Sequence, residues 1–293
     1  MKKNTIYALG FFDGVHLGHQ ALLKKCRDLA DKYHMQAGVI TFDTHPQALT
    51  VGDSPALINA KEDRDALLRH YSMDAPVCLP FDEKLRTMPW LDFLMMLENE
   101  YGANGFVCGD DFRFGYRGAG NAALLSEFCE VEWRPYAIVP EQMLDGIRIS
   151  STHIRALVEA GDMETAAKFL GHPHILSGCV VPGRRIGRTI GIPTANILIP
   201  EGVVVPKLGV YACTCAIDGK KYVAVTNIGS RPTVGGHQKR AESWILDFEG
   251  DLYGKEITLE FHKFLRAEQK FDSLEELKAQ IQLDAAETYR LLK

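Results

Sequence analysis

Two histidines, His16 and His19, stand three residues apart with Gly18 between them, where residues 10–19 read GFFDGVHLGH. On the first turn of a helix that spacing puts both rings on one face. Gly18 lets a substrate approach the backbone closely, and a helix N-terminus offers N–H groups and partial positive charge to a phosphate. Two imidazoles there can hydrogen-bond the charge that develops on transferred phosphate oxygens. The plainer reading is a pair of surface histidines near a turn, and a zinc site finds no evident third ligand. A second set begins at residues 183–196, GRRIGRTIGIPTAN, dense in glycine, arginine and small polar residues. Its glycines permit tight backbone approach to an anion. Thr194 and Asn196 offer hard oxygen atoms suited to Mg²⁺ held jointly with substrate phosphates. The alternative is a glycine-rich turn with solvated arginines.

Residues 242–248, ESWILDF, read as a strand. Alternation predicts Glu242 on the face of Trp244, Leu246 and Phe248, pointing inward, with Asp247 on the opposite, solvated face. A carboxylate on an apolar face is costly unless partnered or used. Glu242 is therefore a candidate general base for a hydroxyl nucleophile, against the alternative of a strand-end residue reaching solvent.

The first pair has the HxGH arrangement of nucleotidyltransferases, which move a nucleotide from a triphosphate onto a phosphate and release pyrophosphate. Two segments support it. Residues 109–115, GDDFRFG, follow a strand, where α/β folds bind ligands. Residues 149–155, ISSTHIR, open a helix whose hydroxyls, N–H groups and Arg155 fork suit phosphates. Ordinary capping by the serines and threonine, and plain packing of Phe112 and Phe114, are the alternatives. No GxxxxGK[ST] phosphate loop occurs, which excludes a P-loop kinase.

These residues need elements to hold them. The first half alternates short apolar runs at 6–9, 37–42, 77–79 and 106–108 with helical stretches at 20–33, 61–71 and 90–101. Such alternation implies a parallel sheet covered by helices on both faces. Helices at 151–160 and 163–170 follow. After Gly171 the runs become short and strand-like, at 210–217, 222–227, 242–248 and 257–264, with turn signals Asp218-Gly219 and Glu249-Gly250. That texture suggests an antiparallel barrel or sandwich. A final helix begins at Ser273-Leu274-Glu275-Glu276, a capping-box pattern. The domain boundary is expected near 171–178, giving domains of 1–172 and 173–293.

The 293 residues, 46% hydrophobic and 24% charged, suit two globular domains. A net charge of −5 argues against a general nucleic-acid binder. Seven irregularly spaced cysteines without a CxxC pair fit a reducing cytoplasm better than a disulfide scaffold. Cys213 and Cys215, two apart in a strand-like run, point to one face and read as core. The start, MKKNTIYAL, imitates a signal peptide but lacks a small-residue cleavage site, and reads as a first buried strand. No apolar run approaches the ~20 residues of a membrane span.

Taken together the chain resembles the prokaryotic bifunctional riboflavin kinase/FAD synthetase family. The N-terminal motifs are FDGVHLGHQ at 12–20, TFDTHP at 41–46, 109–115 and 149–155. The C-terminal ones are Gly187-Arg188, PTAN at 193–196, GVY at 209–211, NIGSRPT at 227–233, DLYG at 251–254 and FLR at 264–266. The resemblance implies an α/β Rossmann-like nucleotidyltransferase domain followed by a small antiparallel β-barrel domain with a C-terminal helix. The barrel would phosphorylate riboflavin to FMN with ATP, and the other module would transfer AMP from ATP to FMN, giving FAD. It implies Glu242 as base for the ribityl hydroxyl, with Thr194 and Asn196 on Mg²⁺. His16 and His19 would serve adenylyl transfer. Gly14, Gly18, Ser151, Thr152, Arg155, Gly187 and Arg188 would hold ATP phosphates, and Asp111, Phe112, Arg113 and Phe114 the flavin. The partners implied are riboflavin, FMN and ATP, with no nucleic acid and no membrane, in a cytoplasmic monomer or weak homo-oligomer. The chain departs from the family pattern at Thr44, where proline is common, and at Gly171-His172-Pro173-His174, where Gly-Arg-Pro-Tyr is common. Around Glu242 the family usually carries valine before it and histidine two residues after, where this chain has Ala241 and Trp244. One active module, the kinase, or a flavin-binding regulator without turnover are the other readings. His16, His19 and Glu242 disfavour both.

Overall fold

The computed structural model describes residues 4–50, 54–71, 73–183, 187, 191–233 and 236–293. The chain divides into two compact units, Met1–Pro55 with Arg64–Ser151, and Ala56–Asp63 with Thr152–Lys293.

The first unit is built on strands β1 (Thr5–Leu9), β2 (Gln36–Phe42), β3 (Ala75–Leu79), β4 (Ala103–Gly109) and β7 (Tyr136–Val139). They form one sheet in the order β3-β2-β1-β4-β7, every neighbouring pair parallel. All five residues of β1 are buried, as a central parallel strand requires. Their alternation splits them between two cores. Tyr7 and Leu9 join Phe93, Leu94 and Leu97 of helix α5 (Trp90–Tyr101) and Leu125 and Cys129 of α6 (Ala122–Val131). Ile6 and Ala8 face Leu23, Cys26 and Ala30 of α1 (Leu17–Tyr33) and Leu68 of α3 (Lys61–His70). Short helices α2 (Pro46–Thr50) and α4 (Glu83–Arg86) follow β2 and β3. Two small hairpins complete the unit, β5 (Arg113–Phe114) with β6 (Gly120–Asn121), and β8 (Met143–Leu144) with β9 (Ile147–Arg148). The order reverses at β1, flanked by β2 and β4, and such a switch point opens a crevice at the strands' carboxyl ends.

Helices α7 (Ser151–Ala160) and α8 (Met163–Leu170) lead into the second unit's strands. These are β10 (His174–Cys179), β11 (Ala195–Leu198), β12 (Gly209–Ile217), β13 (Lys220–Thr233), β14 (Gly236–Ile245) and β15 (Glu256–Arg266). They pair antiparallel in the order β10-β15-β12-β13-β14-β11. The two end strands are drawn together where the Val181 N–H donates to the Asn196 carbonyl at 2.8 Å, so the sheet is a nearly closed barrel. Asp218 and Gly219, both with positive φ, make the tight β12–β13 turn as the Asp-Gly signal requires. Cys213 and Cys215 are both fully buried. Helix α9 (Leu274–Leu292) starts at Ser273, whose side chain accepts from the Glu276 N–H at 3.2 Å. Ala285 of α9 packs into an apolar cluster with Val210, Val225 and Leu246.

Candidate active sites

The first site lies where β1 runs into α1. After the strand the backbone turns through left-handed conformations at Phe12 (φ 61°), Gly14 (φ 79°) and Val15 (φ 40°). Non-glycine residues there store strain that the surroundings must over-determine. A buried arginine, Arg64, does this. It is 2% exposed, donates to the carbonyls of Phe42 at 2.7 Å and Phe11 at 3.3 Å, and lies 4.5 Å over the Phe11 ring. The Thr41 hydroxyl also donates to the Phe11 carbonyl, at 2.8 Å. Arg64 has no role in the sequence reading. Its one signal is its place four residues before Leu68, which puts an arginine on the buried face of α3.

The turn delivers His16 to the N-cap of α1. Its Nδ1 accepts the backbone N–H of His19 at 3.2 Å, and the two imidazoles stack with centroids 3.6 Å apart. Because Nδ1 is an acceptor, the proton of the neutral His16 ring resides on Nε2. Desolvation, then the neighbouring His16 and the Arg64 guanidinium, hold His19 well below the usual histidine range, so its ring is neutral. A Cβ on Gly18 would fall 3.2 Å from the His16 ring, so glycine leaves that ring its place. Ser151, the first residue of α7, donates its hydroxyl to the Asp13 carbonyl at 3.0 Å. Thr152 and Arg155 follow on α7 but fall within the second unit.

Of the segment after β4, Phe114 belongs to the core, 6% exposed and packed against Phe93 and Trp90. Phe112 is half-buried and stacks on Phe114 with centroids 5.7 Å apart. Arg113 is exposed, and Asp111 accepts from Arg148 at 2.6 Å. Of the two rings, Phe112 is therefore the one left partly open.

The second site is a cavity of about 400 Å³ lined by the barrel, residues 266–271 and α9. Glu242 on β14 is the direct cross-strand partner of Asn227 on β13 and of Asn196 on β11. Cross-strand partners point to the same side of a sheet, and Glu242, Asn227 and the nearby Thr194 line the cavity. Alternation pairs Glu242 with Trp244 as expected, but their face is the half-buried cavity wall. Ala241, Ser243 and Ile245 take the dry side. The strand stops at Ile245, so Leu246, Asp247 and Phe248 leave the alternation; Asp247 turns with φ 56° and accepts a hydrogen bond from the Tyr289 hydroxyl.

Asn196 is 4% exposed and its Oδ1 has no hydrogen-bond partner among the described residues. A buried acceptor left open is a ready oxygen ligand. A Cβ at Gly183 would fall 2.7 Å from the Asn196 amide, and one at Gly187 would fall 2.1 Å from the Ile192 carbonyl. Only glycine fits either place. Among the described residues no three His, Cys, Asp or Glu side chains gather to hold a metal ion. Arg188 lies outside the described residues. Across the cavity Arg266 grips Asp284 of α9 through Nη2 at 2.7 Å and Nε at 3.0 Å, which ties the helix to the barrel.

Two family models match this chain, FAD synthetase over residues 1–153 and riboflavin kinase over residues 170–292. The bifunctional riboflavin kinase/FMN adenylyltransferase of Escherichia coli K12 is 36% identical, covering all of this chain and 95% of its own length. That of Listeria monocytogenes is 34% identical over 97% and 91%. A solved structure titled as a macrolide-efflux protein from Streptococcus pneumoniae covers 99% of this chain and 95% of its own, at 29% identity and a TM-score of 0.87. No helix among the described residues here is long and apolar enough to cross a membrane. With both models matched in order and relatives aligned end to end, the chain belongs to the bifunctional riboflavin kinase/FMN adenylyltransferase family.

Proposed function

We propose that the chain carries out the family's two steps with separate residue sets, the kinase step at the barrel cavity and the adenylyl transfer at the His16–His19 turn. The chain phosphorylates riboflavin with ATP to FMN, then transfers AMP from ATP to FMN, giving FAD and pyrophosphate. The division of labour assigns residues 1–172 to the transferase and 173–293 to the kinase. The observation that carries the kinase assignment is the row Asn196–Glu242–Asn227 across three strands, of which Glu242 and Asn227 line the cavity.

In the kinase step Glu242 accepts the proton of the ribityl hydroxyl as its oxygen bonds the γ-phosphorus of ATP. The bond from that phosphorus to the β–γ bridging oxygen breaks and ADP leaves. Thr194 and the open Oδ1 of Asn196 would hold Mg²⁺ together with the ATP phosphates, and the ion would supply neutralisation of phosphate charge. Gly187 flanks those phosphates. In the second step a phosphate oxygen of FMN attacks the α-phosphorus of ATP and pyrophosphate leaves. Nε2–H of His16 and the neutral His19 ring donate to the oxygens on which charge grows. Gly14, Gly18 and Ser151 position the phosphates, and the segment Asp111–Arg113, with Phe112 stacked on Phe114, receives the flavin ring of FMN. The setting is a cytoplasmic enzyme, monomeric or weakly associated, without nucleic-acid or membrane partners.

The test is Glu242→Gln in the full chain, followed by chromatographic separation of flavins under single-turnover conditions. The phosphorylation rate is expected to fall by about 10²–10⁴, the worth of a positioned base. Supplied FMN should still become FAD, because its nucleophile is already an anion. An undiminished phosphorylation step removes Glu242 from the mechanism.

A further inference from the structure

The cavity is lined by the polar side chains of Glu242, Asn227 and Thr194 and by apolar ones, among them Val225, Ile281 and Trp244. Trp244 stands two residues from Glu242 on the same strand face, about 7 Å along the strand at the usual rise per residue. Its register partner is Val225, and the ring is backed by the cluster of Val225, Leu246 and Ala285. A large aromatic surface, half-buried and braced from behind, borders the cavity at one fixed distance from the base.

We propose that Trp244 is the platform on which the kinase seats the isoalloxazine ring of riboflavin, which makes it a specificity-determining residue of this chain. The inference rests on the kinase reading of the cavity. Riboflavin is a flat ring joined to a five-carbon polyol, and its reactive hydroxyl lies at the far end of that polyol. An extended polyol spans about the distance from Trp244 to Glu242, so stacking at one end carries the hydroxyl to the base at the other. An uncharged heteroaromatic ring draws most of its binding from apolar burial and stacking, which an indole supplies best.

The experiment uses the full chain with Trp244→Ala and Trp244→Phe, measuring KM for riboflavin and for ATP, and inhibition by lumiflavin, which has the ring without the polyol. Trp244→Ala should raise the riboflavin KM and the lumiflavin inhibition constant by the same factor, about tenfold. Trp244→Phe should recover most of that loss, and the ATP KM should not move. A riboflavin KM that rises without the lumiflavin constant, or alongside the ATP KM by the same factor, overturns the proposal. A second measurement does not depend on that variant folding. The chain has three tryptophans, so with Trp90 and Trp133 changed to Phe the emission belongs to Trp244. Saturating lumiflavin should quench it, and unchanged emission overturns the proposal. Glu242→Gln separates this inference from the base assignment. It should bind lumiflavin like the wild type even with phosphorylation slowed, and weakened lumiflavin binding there counts against a ring seat independent of the base.

Discussion

Under the proposed adenylyl transfer, two tasks fall to the two nitrogens of the His16 ring. Nδ1 caps α1 by accepting the His19 N–H, which leaves Nε2–H as a donor. The tasks separate by substitution. Asparagine is a strong N-cap residue, so His16→Asn should keep the cap and lose the ring donor. FAD formation from supplied FMN is expected to fall by about 10²–10³ with the melting temperature held. His16→Ala should lose the same activity and, in addition, about 1 kcal/mol of stability. Thermal melts beside single-turnover FAD formation check both. A His16→Asn protein as active as the wild type would show that the ring does no chemistry.

The first residue of β10 shows an element carrying a cost. His174 is 1% exposed, neither ring nitrogen has a hydrogen-bond partner among the described residues, and its nearest ring neighbour is Phe261 at 5.7 Å. Burial, then the positive charge His172 can carry, pushes its pKa down to about 3. Between that value and the ordinary value near 6.5 the unfolded chain binds a proton that the folded chain refuses. Stability therefore rises with pH across this window, is present in full above about 6.5, and is lost as pH falls, by up to ~1.4 kcal/mol per unit. His174→Phe should remove that contribution and raise stability at neutral pH by about 1–2 kcal/mol, the cost of unmade buried hydrogen bonds. Urea unfolding at pH 5 and pH 7.5 checks it. An unchanged difference between the two pH values would move the acid sensitivity elsewhere.

At the scale of the molecule, the barrel unit contains a piece of chain from the N-terminal half. In segment Ala56–Asp63, Ile58 is fully buried, the Leu57 N–H donates to the Gly202 carbonyl at 2.7 Å, and Asp63 accepts the Ser177 N–H at 3.2 Å. Full burial of one isoleucine is worth about 1.5–3 kcal/mol. A fragment of residues 152–293 should therefore convert riboflavin to FMN yet unfold at lower urea than the barrel within the whole chain. A synthetic peptide of residues 54–64, added in trans, should raise its midpoint. Midpoints indifferent to the peptide would show that the segment contributes no stability.

Much of this was legible in order of residues alone because the forces are local. The His16–Gly18–His19 spacing, the β-α-β alternation, the Asp218-Gly219 turn and the Ser273 cap each depend on neighbours within a few positions, and each stands in the structure. The helices at 151–160 and 163–170 fall where the apolar spacing puts them. Strand β14 differs because its first residues, among them Gln238, Lys239 and Arg240, carry no apolar alternation and are held by ladder partners on β13 and β11. Helix α6 and strands β10 and β11 were not legible for a related reason, being short and defined by what they pack on. Sequence could nominate Glu242 and Asn196 separately, but only strand register could make them neighbours, since register is set by hydrogen bonds between distant segments. The same holds for Arg64, whose place under the turn that leads to His16 comes from two carbonyls far away in the chain. It holds again for Ala56–Asp63, assigned to the barrel unit by contacts that no local pattern encodes.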